Sequence, residues 1–320
     1  MGKAMTAPEG IFQGPNALQD KVTDSQRSVA QRREPSIGRV RVSVIVPVRN
    51  EAANIRRCLQ HLQWADEVFV VDSQSTDGTD RIAEELGARV VQFHLNGTYP
   101  KKKNWALKNL PFRNEWVMVV DADEVVTDAL AEEMKQAVEK GECDGYYISR
   151  RFYFLARWIR HCGYYPSYNL RLFKHRLGRY EKMIASGAGD NEVHEHVVFK
   201  GRTGTLRNDM PHYAYPDIST WIEKHDRYSS WEADLYERFR SGDADGAEQH
   251  IGFRQRCKRW LKRIYLRLPL RFLFRFLYAY LWKRGFLDGR PGFILCVLLA
   301  FYDFLSWAKV YERRINAKAS

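Results

Sequence analysis

A strand-like run from Val40 to Val48 (VRVSVIVPV) does most to limit how this chain can fold. Its β-branched residues come almost without interruption, which is typical of a strand that is buried on both faces of a sheet. Apolar residues then follow at helical spacing, at Ile55, Leu59 and Leu62. The sequence therefore predicts a strand followed by a helix over Glu51–Trp64 as the first unit of the fold.

The same alternation continues along the next part of the chain. Further strands are predicted over Glu67–Val71, Arg89–Phe93 and Trp116–Val120, and further helices over Thr79–Leu86 and Lys101–Leu110. Such alternation predicts an α/β fold, with a mixed, mostly parallel sheet flanked by helices on both faces. Ligands of these open sheets bind at the carboxyl ends of the strands.

The 320 residues can bury one large core and a smaller appended unit. We expect residues 1–38 to be a flexible leader, because they lack the apolar core of a secretory signal. A catalytic domain is predicted over 39–215 and a helical segment over 216–320. The five cysteines are scattered and form no CxxC pair, which argues against a disulfide framework and favours a cytoplasmic location.

Polar residues follow three of the predicted strands. Asp121 and Asp123 come directly after an apolar strand, where two carboxylates would suit Mg²⁺ or Mn²⁺ and help a diphosphate to leave. The alternative is a solvated turn that caps the next helix. Asp72 ends an earlier strand and could bind a base or a ribose, or could also act as a cap. We expect the residues from Thr76 to Gly78 to be structural.

These segments together resemble the family 2 glycosyltransferases of the GT-A fold. The residues that carry the resemblance are Val44 to Pro47, Asn50-Glu51, Asp72 to Thr79, and Val119 to Asp123. The resemblance implies an inverting transfer from a nucleoside-diphosphate sugar. It places Pro47, Glu51, Asp72 and Asp121 around the nucleotide and Asp123 on the metal. Many members have an acid where this chain has Ser73.

The resemblance extends less closely to two other segments. Lys102 and Asn104 occupy the stretch that approaches the ribose and phosphates of the donor. Arg171, in the run NLRLF, is predicted to face the donor or the acceptor, within an aromatic and basic segment from Arg151 to Phe173 that could instead be core. The run NLRLF resembles one branch of this family, which includes lipopolysaccharide-core glucosyltransferases. That resemblance implies UDP-glucose as the donor.

An inverting transfer needs a base on the acceptor hydroxyl. Carboxylates for this role lie in the run from Asp190 to His196. The VHE triplet in this run resembles the lipopolysaccharide-core glucosyltransferases, in which the acid after the histidine matches the base position, so the resemblance implies Glu195 as the base, with Glu192 and Asp190 as alternatives. His194 is expected to orient that carboxylate. A zinc site built from His194, Glu195, His196 and His212 is disfavoured, because adjacent histidines do not give the HExxH helical geometry.

The positive charge of the chain is concentrated near its C-terminus. Eleven basic residues and no acid lie between Glu248 and Asp288, interleaved with aromatic residues. We expect two helical pieces separated at Pro269. Phe293–Trp307 is apolar but shorter than the ~20 residues of a spanning helix, so an interfacial helix is predicted. The alternative is a helical subdomain packed on the catalytic core.

The expected partners are a glycolipid or polysaccharide acceptor and an anionic membrane surface, with no nucleic acid. The protein is accordingly predicted to bind the cytoplasmic face of the inner membrane peripherally. A single sugar is expected to be added, because the QxxRW motif of processive synthases is not matched around Gln255. Two other hypotheses are a nucleotidyltransferase, disfavoured because no glycine lies between Pro47 and Asn54, and a non-enzymatic membrane or nucleic-acid-binding module.

Overall fold

The computed structural model describes residues 38–97, 99–181, 196–241 and 270–319, with the backbone alone at 235–241, 318 and 319. The predicted leader therefore lies outside the described residues, apart from residue 38. The helices are α1 (Ala52–Gln60), α2 (Thr79–Glu85), α3 (Lys102–Asn109), α4 (Asp128–Lys140), α5 (Ile218–Ser241), α6 (Arg271–Leu277) and α7 (Gly289–Ala319). A π turn (Tyr278–Trp282) and a 3-10 turn (Gly285–Asp288) join α6 to α7.

The strands are β1 (Val40–Val48), β2 (Ala65–Asp72), β3 (Arg89–Gln92), β4 (Trp116–Val119), β5 (Gly145–Phe154), β6 (Arg157–Trp158), β7 (Tyr168–Lys174), β8 (Gly178–Tyr180), β9 (Val197–Phe199), β10 (Thr203–Thr205) and β11 (Met210–His212). Most of them form one sheet in the order β10-β5-β7-β4-β1-β2-β3. The strands β1 to β4 pair in parallel, whereas β7 is antiparallel to both β4 and β5. A mostly parallel sheet is therefore confirmed.

Helices cover both faces of this sheet. On one face, alternate residues of β1 such as Val44 pack with Ile55 of α1 and Leu130 of α4. On the other face, Ile45 packs with Ala106 of α3. Because successive strand residues point to opposite faces, burial of both sets explains why β1 is a continuous apolar run.

The ends of α4 illustrate how local sequence fixes the elements around the sheet. The Thr127 hydroxyl accepts a hydrogen bond from the Leu130 N–H at 3.2 Å and so caps the first turn. The helix ends at Gly141, whose φ of 62° is left-handed. These caps fix the start of α4 just after the carboxyl end of β4, where the two predicted metal ligands lie.

The C-terminal helices pack on the sheet domain through a third apolar cluster. Phe152 and Phe154 of β5 belong to the same buried cluster as Trp221 of α5 and Leu295 and Leu299 of α7. The helix α7 has 31 residues, twice the length of the predicted apolar segment. The length argument against a spanning helix is thus wrong, since Gly285–Ala317 is long and apolar enough to cross a membrane, although only by length and composition.

Candidate functional site

The carboxyl ends of β1, β2 and β3 meet at one edge of the sheet. Val48 pairs with Asp72, and Asp72 pairs with Gln92. The Asp72 side chain is fully buried, and its carboxylate accepts hydrogen bonds from the Ser75 N–H at 3.0 Å and the Gln92 amide at 2.9 Å. Asp72 therefore organises the loop that follows β2, on the edge where a nucleotide is predicted.

This loop is tied to the turn between β1 and α1. Asn50 has a left-handed φ of 56°, and its side chain accepts the Thr76 N–H at 2.8 Å. The Glu51 N–H donates to the Thr79 hydroxyl at 2.8 Å, and the Ala52 N–H donates to Asp77 at 2.9 Å. These contacts give Asp77 the structural role that the sequence predicts, add a similar role for Thr79, and fix the backbone of Glu51.

Glu51 lies close to the two aspartates that follow β4. Burial raises the pKa of the Glu51 carboxyl, while its bond with Asn54 lowers it and the negative charges of Asp123 and Asp121 raise it further. The charges of these three carboxylates therefore act on one another at this edge, which makes it electrostatically receptive to a cation.

Asp121 is held by two cationic side chains. Its carboxylate lies 2.7 Å from the Arg171 guanidinium and 3.5 Å from the Lys103 ammonium. Burial opposes ionisation, but these two charges outweigh it and hold the pKa of Asp121 well below its ordinary value. Asp121 is therefore charged at neutral pH, and much of its charge is neutralised by the protein.

The same guanidinium reaches Glu124, which has no solvent exposure. Arg171 Nη2 lies 2.6 Å from Glu124 Oε1, and Glu124 Oε2 accepts the Asp121 N–H at 2.9 Å. Burial raises the pKa of Glu124, and the opposing charge of Arg171 lowers it. Arg171 is itself buried, so it would act on a bound donor through Asp121. Sequence analysis did not give Glu124 a role.

Asp123 is paired differently. Its Oδ1 is buried and lies 3.4 Å from His212 Nε2, but it accepts no well-aligned hydrogen bond within the described residues. Burial opposes ionisation of Asp123, and His212 outweighs that effect and lowers the pKa. His212 is the last residue of β11, which pairs with β5. The backbone of His212 also forms an isolated antiparallel β-bridge with Glu124. The sequence analysis considered His212 only as a zinc donor.

Helix α5 brings further groups to this edge. The charge of Lys224 lowers the pKa of both Glu51 and Asp123, and its ammonium donates to the Ala214 carbonyl at 3.1 Å. Burial raises the pKa of the Tyr228 hydroxyl, and the negative charges of Asp123, Asp121 and Glu51 raise it further. Neither residue was predicted, because nothing in the local sequence places α5 beside the sheet edge.

The remaining predicted residues are divided between this edge and the region outside the described residues. Lys102 donates to the Val48 carbonyl at 2.7 Å, at the end of β1, where Pro47 pairs with Val71. Both polar atoms of the Asn104 amide bond to the backbone of Tyr180, so Asn104 holds β8. The proposed base and its neighbours, Asp190, Glu192, His194 and Glu195, lie outside the described residues.

The described residues offer part of a metal site. They contain no group of three or more His, Cys, Asp or Glu side chains arranged to hold an ion. The carboxylate of Asp123, with its buried oxygen, and the nearby ring of His212 are two donors that converge. Such a pair fits a divalent cation whose other ligands are substrate phosphates and water, as Mg²⁺ commonly has.

Comparisons with known proteins identify a family and several relatives. Residues 43–191 match the family described as Glycosyl transferase family 2. An uncharacterised glycosyltransferase of Rickettsia bellii is 28% identical over 85% of this chain and 86% of its own length. A Rhizobium meliloti protein, the lipopolysaccharide core biosynthesis glycosyltransferase LpsC, is 28% identical over 87% of this chain and 94% of its own length.

Among solved structures, S. aureus TarS (residues 1–349) covers 87% of this chain and 92% of its own, with a TM-score of 0.41 and 16% identity. The match to the family, together with the strand order described above, confirms the predicted GT-A type fold.

Proposed function

We infer that this protein is a glycosyltransferase, because residues 43–191 match Glycosyl transferase family 2. We propose that it moves one sugar from a nucleoside-diphosphate sugar to a glycolipid or lipopolysaccharide-core acceptor, with inversion. The observation that carries the proposal is the convergence of Glu51, Asp121 and Asp123 with His212 at the carboxyl edge of the sheet. A UDP-hexose, with UDP-glucose first, is the proposed donor.

The positions of the cationic groups support a diphosphate at this edge. Lys103 and Lys224 both act on the carboxylates of the site, and the Lys102 ammonium lies at the end of β1. These groups would partly balance the charge of a diphosphate, whereas the buried Arg171 and Glu124 fix the orientation of Asp121. Catalysis of group transfer from a nucleotide depends largely on such preorganised charge.

Asp123 and His212 would hold a divalent cation, Mg²⁺ or Mn²⁺, with Asp121 beside them. When bound, that cation neutralises the charge that develops on the departing diphosphate. Asp123 suits this role because its pKa is lowered, so the carboxylate is ionised at neutral pH.

An inverting displacement also needs a base across the sugar from the leaving group. We assign this role to Glu195, with His194 to orient it and Glu192 as the alternative. The residue would remove the proton of the acceptor hydroxyl as that oxygen attacks the anomeric carbon and the diphosphate departs.

Calorimetric binding of UDP and of GDP, with and without Mn²⁺, tests the donor site. We expect binding of UDP that depends on the metal. The variant Glu195→Gln should bind UDP as the wild type does but lose transfer. Full transfer by Glu195→Gln would move the base to Glu192 or Asp190, and failure of both nucleotides to bind would contradict the proposed donor class.

A lipid-linked acceptor would require the enzyme to work at the cytoplasmic face of the inner membrane. The LPS-core name of the Rhizobium meliloti relative and the basic, apolar C-terminal helices support this location.

A further inference from the structure

The helices that follow residue 270 expose large apolar side chains on their outward face. On α6 and the π turn these include Leu273, Leu277, Leu281 and Trp282, of which Trp282 is 78% exposed. Contiguous apolar surface of this kind is rare on soluble proteins and marks a site of interaction. Neighbouring residues on the inward side, such as Ala279, are buried against the catalytic domain, so the face is a surface of a packed structure.

The longer helix α7 continues this face as a single stripe. Its exposed apolar residues are Phe293, Val297, Phe301, Phe304, Trp307, Tyr311 and Ile315. Their spacing of three or four residues keeps them on one side of an α-helix. At 1.5 Å per residue, the stripe is about 33 Å long. The opposite side is buried, with Leu295 and Leu299 in the cluster shared with β5 and α5.

The distribution of charged residues on this face indicates which kind of surface it can bind. Between residues 270 and 311 the sequence has two acids, Asp288 and Asp303, and both are buried. The basic residues Lys283, Arg284 and Arg290 are exposed. Among the described acids that follow residue 270, only Glu312, near the C-terminal end of α7, is exposed. A surface that is otherwise aromatic and cationic is complementary to the headgroups and the acyl boundary of an anionic bilayer.

Contacts with α5 decide how α7 can lie in that bilayer. Lys309 of α7 is 2.6 Å from Asp226, Arg313 is 2.5 Å from Asp234, and the Ser306 hydroxyl donates to Glu232 at 3.0 Å. A helix that crossed the hydrocarbon would carry these carboxylates of α5 in with it, at a high cost in free energy. An orientation parallel to the membrane plane leaves the charged side in water and the apolar stripe in lipid.

We propose that α6, the π turn and one face of α7 form a docking surface for an anionic lipid bilayer, on which α7 lies in the plane of the interface and does not cross. This docking surface would bring the proposed enzyme to its acceptor. It rests on the proposed function only in the assumption that the acceptor is linked to a lipid. The sequence analysis gave an interfacial helix and a helical subdomain packed on the catalytic core as alternatives. Both apply under this proposal, because the same helices contact the membrane on one face and the catalytic domain on the other.

Sedimentation of the full chain with vesicles tests the docking surface. The probes are vesicles of phosphatidylcholine alone and of phosphatidylcholine with phosphatidylglycerol. We expect binding to the anionic vesicles, at least a tenfold loss in the double variant Leu281→Ser/Trp282→Ser, and a similar loss in Lys283→Glu/Arg284→Glu. The matched control is Val198→Ser, which removes an apolar side chain that is 40% exposed on β9 and should bind as the wild type does.

Equal loss in the control, or no binding of the wild type to anionic vesicles, would overturn the proposal. So would a stable dimer in solution that the double variant dissociates, since a second copy would then be the occupant of this face. Release of bound protein by alkaline carbonate is the result expected for an interfacial helix. Resistance to carbonate would instead show that α7 spans the bilayer.

Calorimetry with UDP and Mn²⁺ on the same preparations separates this proposal from the proposed function. If the wild type binds vesicles but no nucleotide, the proposed function fails and the docking surface stands. If it binds nucleotide but no vesicles, the docking surface fails and the proposed donor site stands.

Discussion

The Arg171 guanidinium lies 2.6 Å from the Glu124 carboxylate, and their side chains are 6% and 0% exposed. The same nitrogen lies 2.7 Å from Asp121, so one buried cation joins the two carboxylates. Removal of one member of a buried ion pair leaves the other desolvated and uncompensated.

The first prediction follows from this pair. Glu124→Ala should lower the free energy of unfolding by about 3–5 kcal/mol, and Glu124→Gln should lower it less because the amide can still bond to the Asp121 N–H. Urea denaturation measures both. The control Glu139→Ala, at an exposed position on α4, should stay within about 0.5 kcal/mol of the wild type. A change in Glu124→Ala as small as that of the control would contradict the role given to the pair.

The second prediction concerns the Asp123 carboxylate and the His212 ring, the two proposed donors to the metal. Asp123→Asn and His212→Ala should each weaken Mn²⁺-dependent binding of UDP at least tenfold, because each removes one proposed ligand of the ion. With EDTA present, wild type and variants should bind UDP equally weakly. Calorimetry on the three proteins is the measurement, with Glu139→Gln as a charge-matched control. Unaltered Mn²⁺ dependence in His212→Ala would exclude His212 from the metal site.

The third prediction concerns pH. His225 stacks on Trp221 with ring centroids 3.5 Å apart, and burial lowers its pKa to about 4 from an ordinary 6.5. Its folded pKa is below the unfolded one, so the unfolded chain binds more protons between these values and the contribution of His225 to stability falls as pH drops from about 6.5 to about 4.

Replacing His225 by Gln should flatten this part of the stability profile, measured as urea midpoints across the pH range. The exposed His94 serves as the control, and His94→Gln should keep the wild-type slope. If His225→Gln kept that slope as well, another group would be responsible for it.

The fourth prediction tests the junction between the 3-10 turn and α7. A Cβ added at Gly292 would clash with the Gly285 carbonyl oxygen and would lie 2.6 Å from the Cβ of Asp288. Gly292→Ala should therefore destabilise the protein by about 1–3 kcal/mol through overpacking. At Gly38 the added Cβ would meet nothing within 4 Å, so Gly38→Ala should be neutral in the same urea experiment. Equal stability of the two variants would show that α7 can shift without cost.

The central strands were predictable because their signals are local. The predicted bounds of β1 are those of the structure, and β4 ends one residue before the predicted end. A continuous β-branched run needs little help from distant residues to be identified as a buried strand. The positions of Glu51, Asp72, Asp121 and Asp123 at strand ends followed from the same pattern, and the structure brings these residues to one edge of the sheet.

The rest of the site depends on contacts between distant parts of the chain. Arg171 meets Glu124 across 47 residues, and Asn104 reaches Tyr180 across 76. Periodicity gives no information on such pairings, so the bonds of the Asn104 amide to β8 were not predicted. The placement of Asn104 beside the donor, which the family resemblance implies, stays a prediction. The partnership of Asp123 with His212 likewise requires β11 to lie beside β5, which no local pattern signals.

Asp288, just before α7, anchors a segment of the sheet domain that is distant in sequence. The Asp288 carboxylate accepts the backbone N–H of His161 at 2.8 Å, across 127 residues of sequence, and also bonds to the His161 ring at 2.9 Å. At a translation rate of ~5–20 residues per second, His161 is synthesised roughly 6 to 25 s before its partner. During that interval this segment of the nascent sheet domain lacks its contact with Asp288, and the contact forms only when the C-terminal helices emerge.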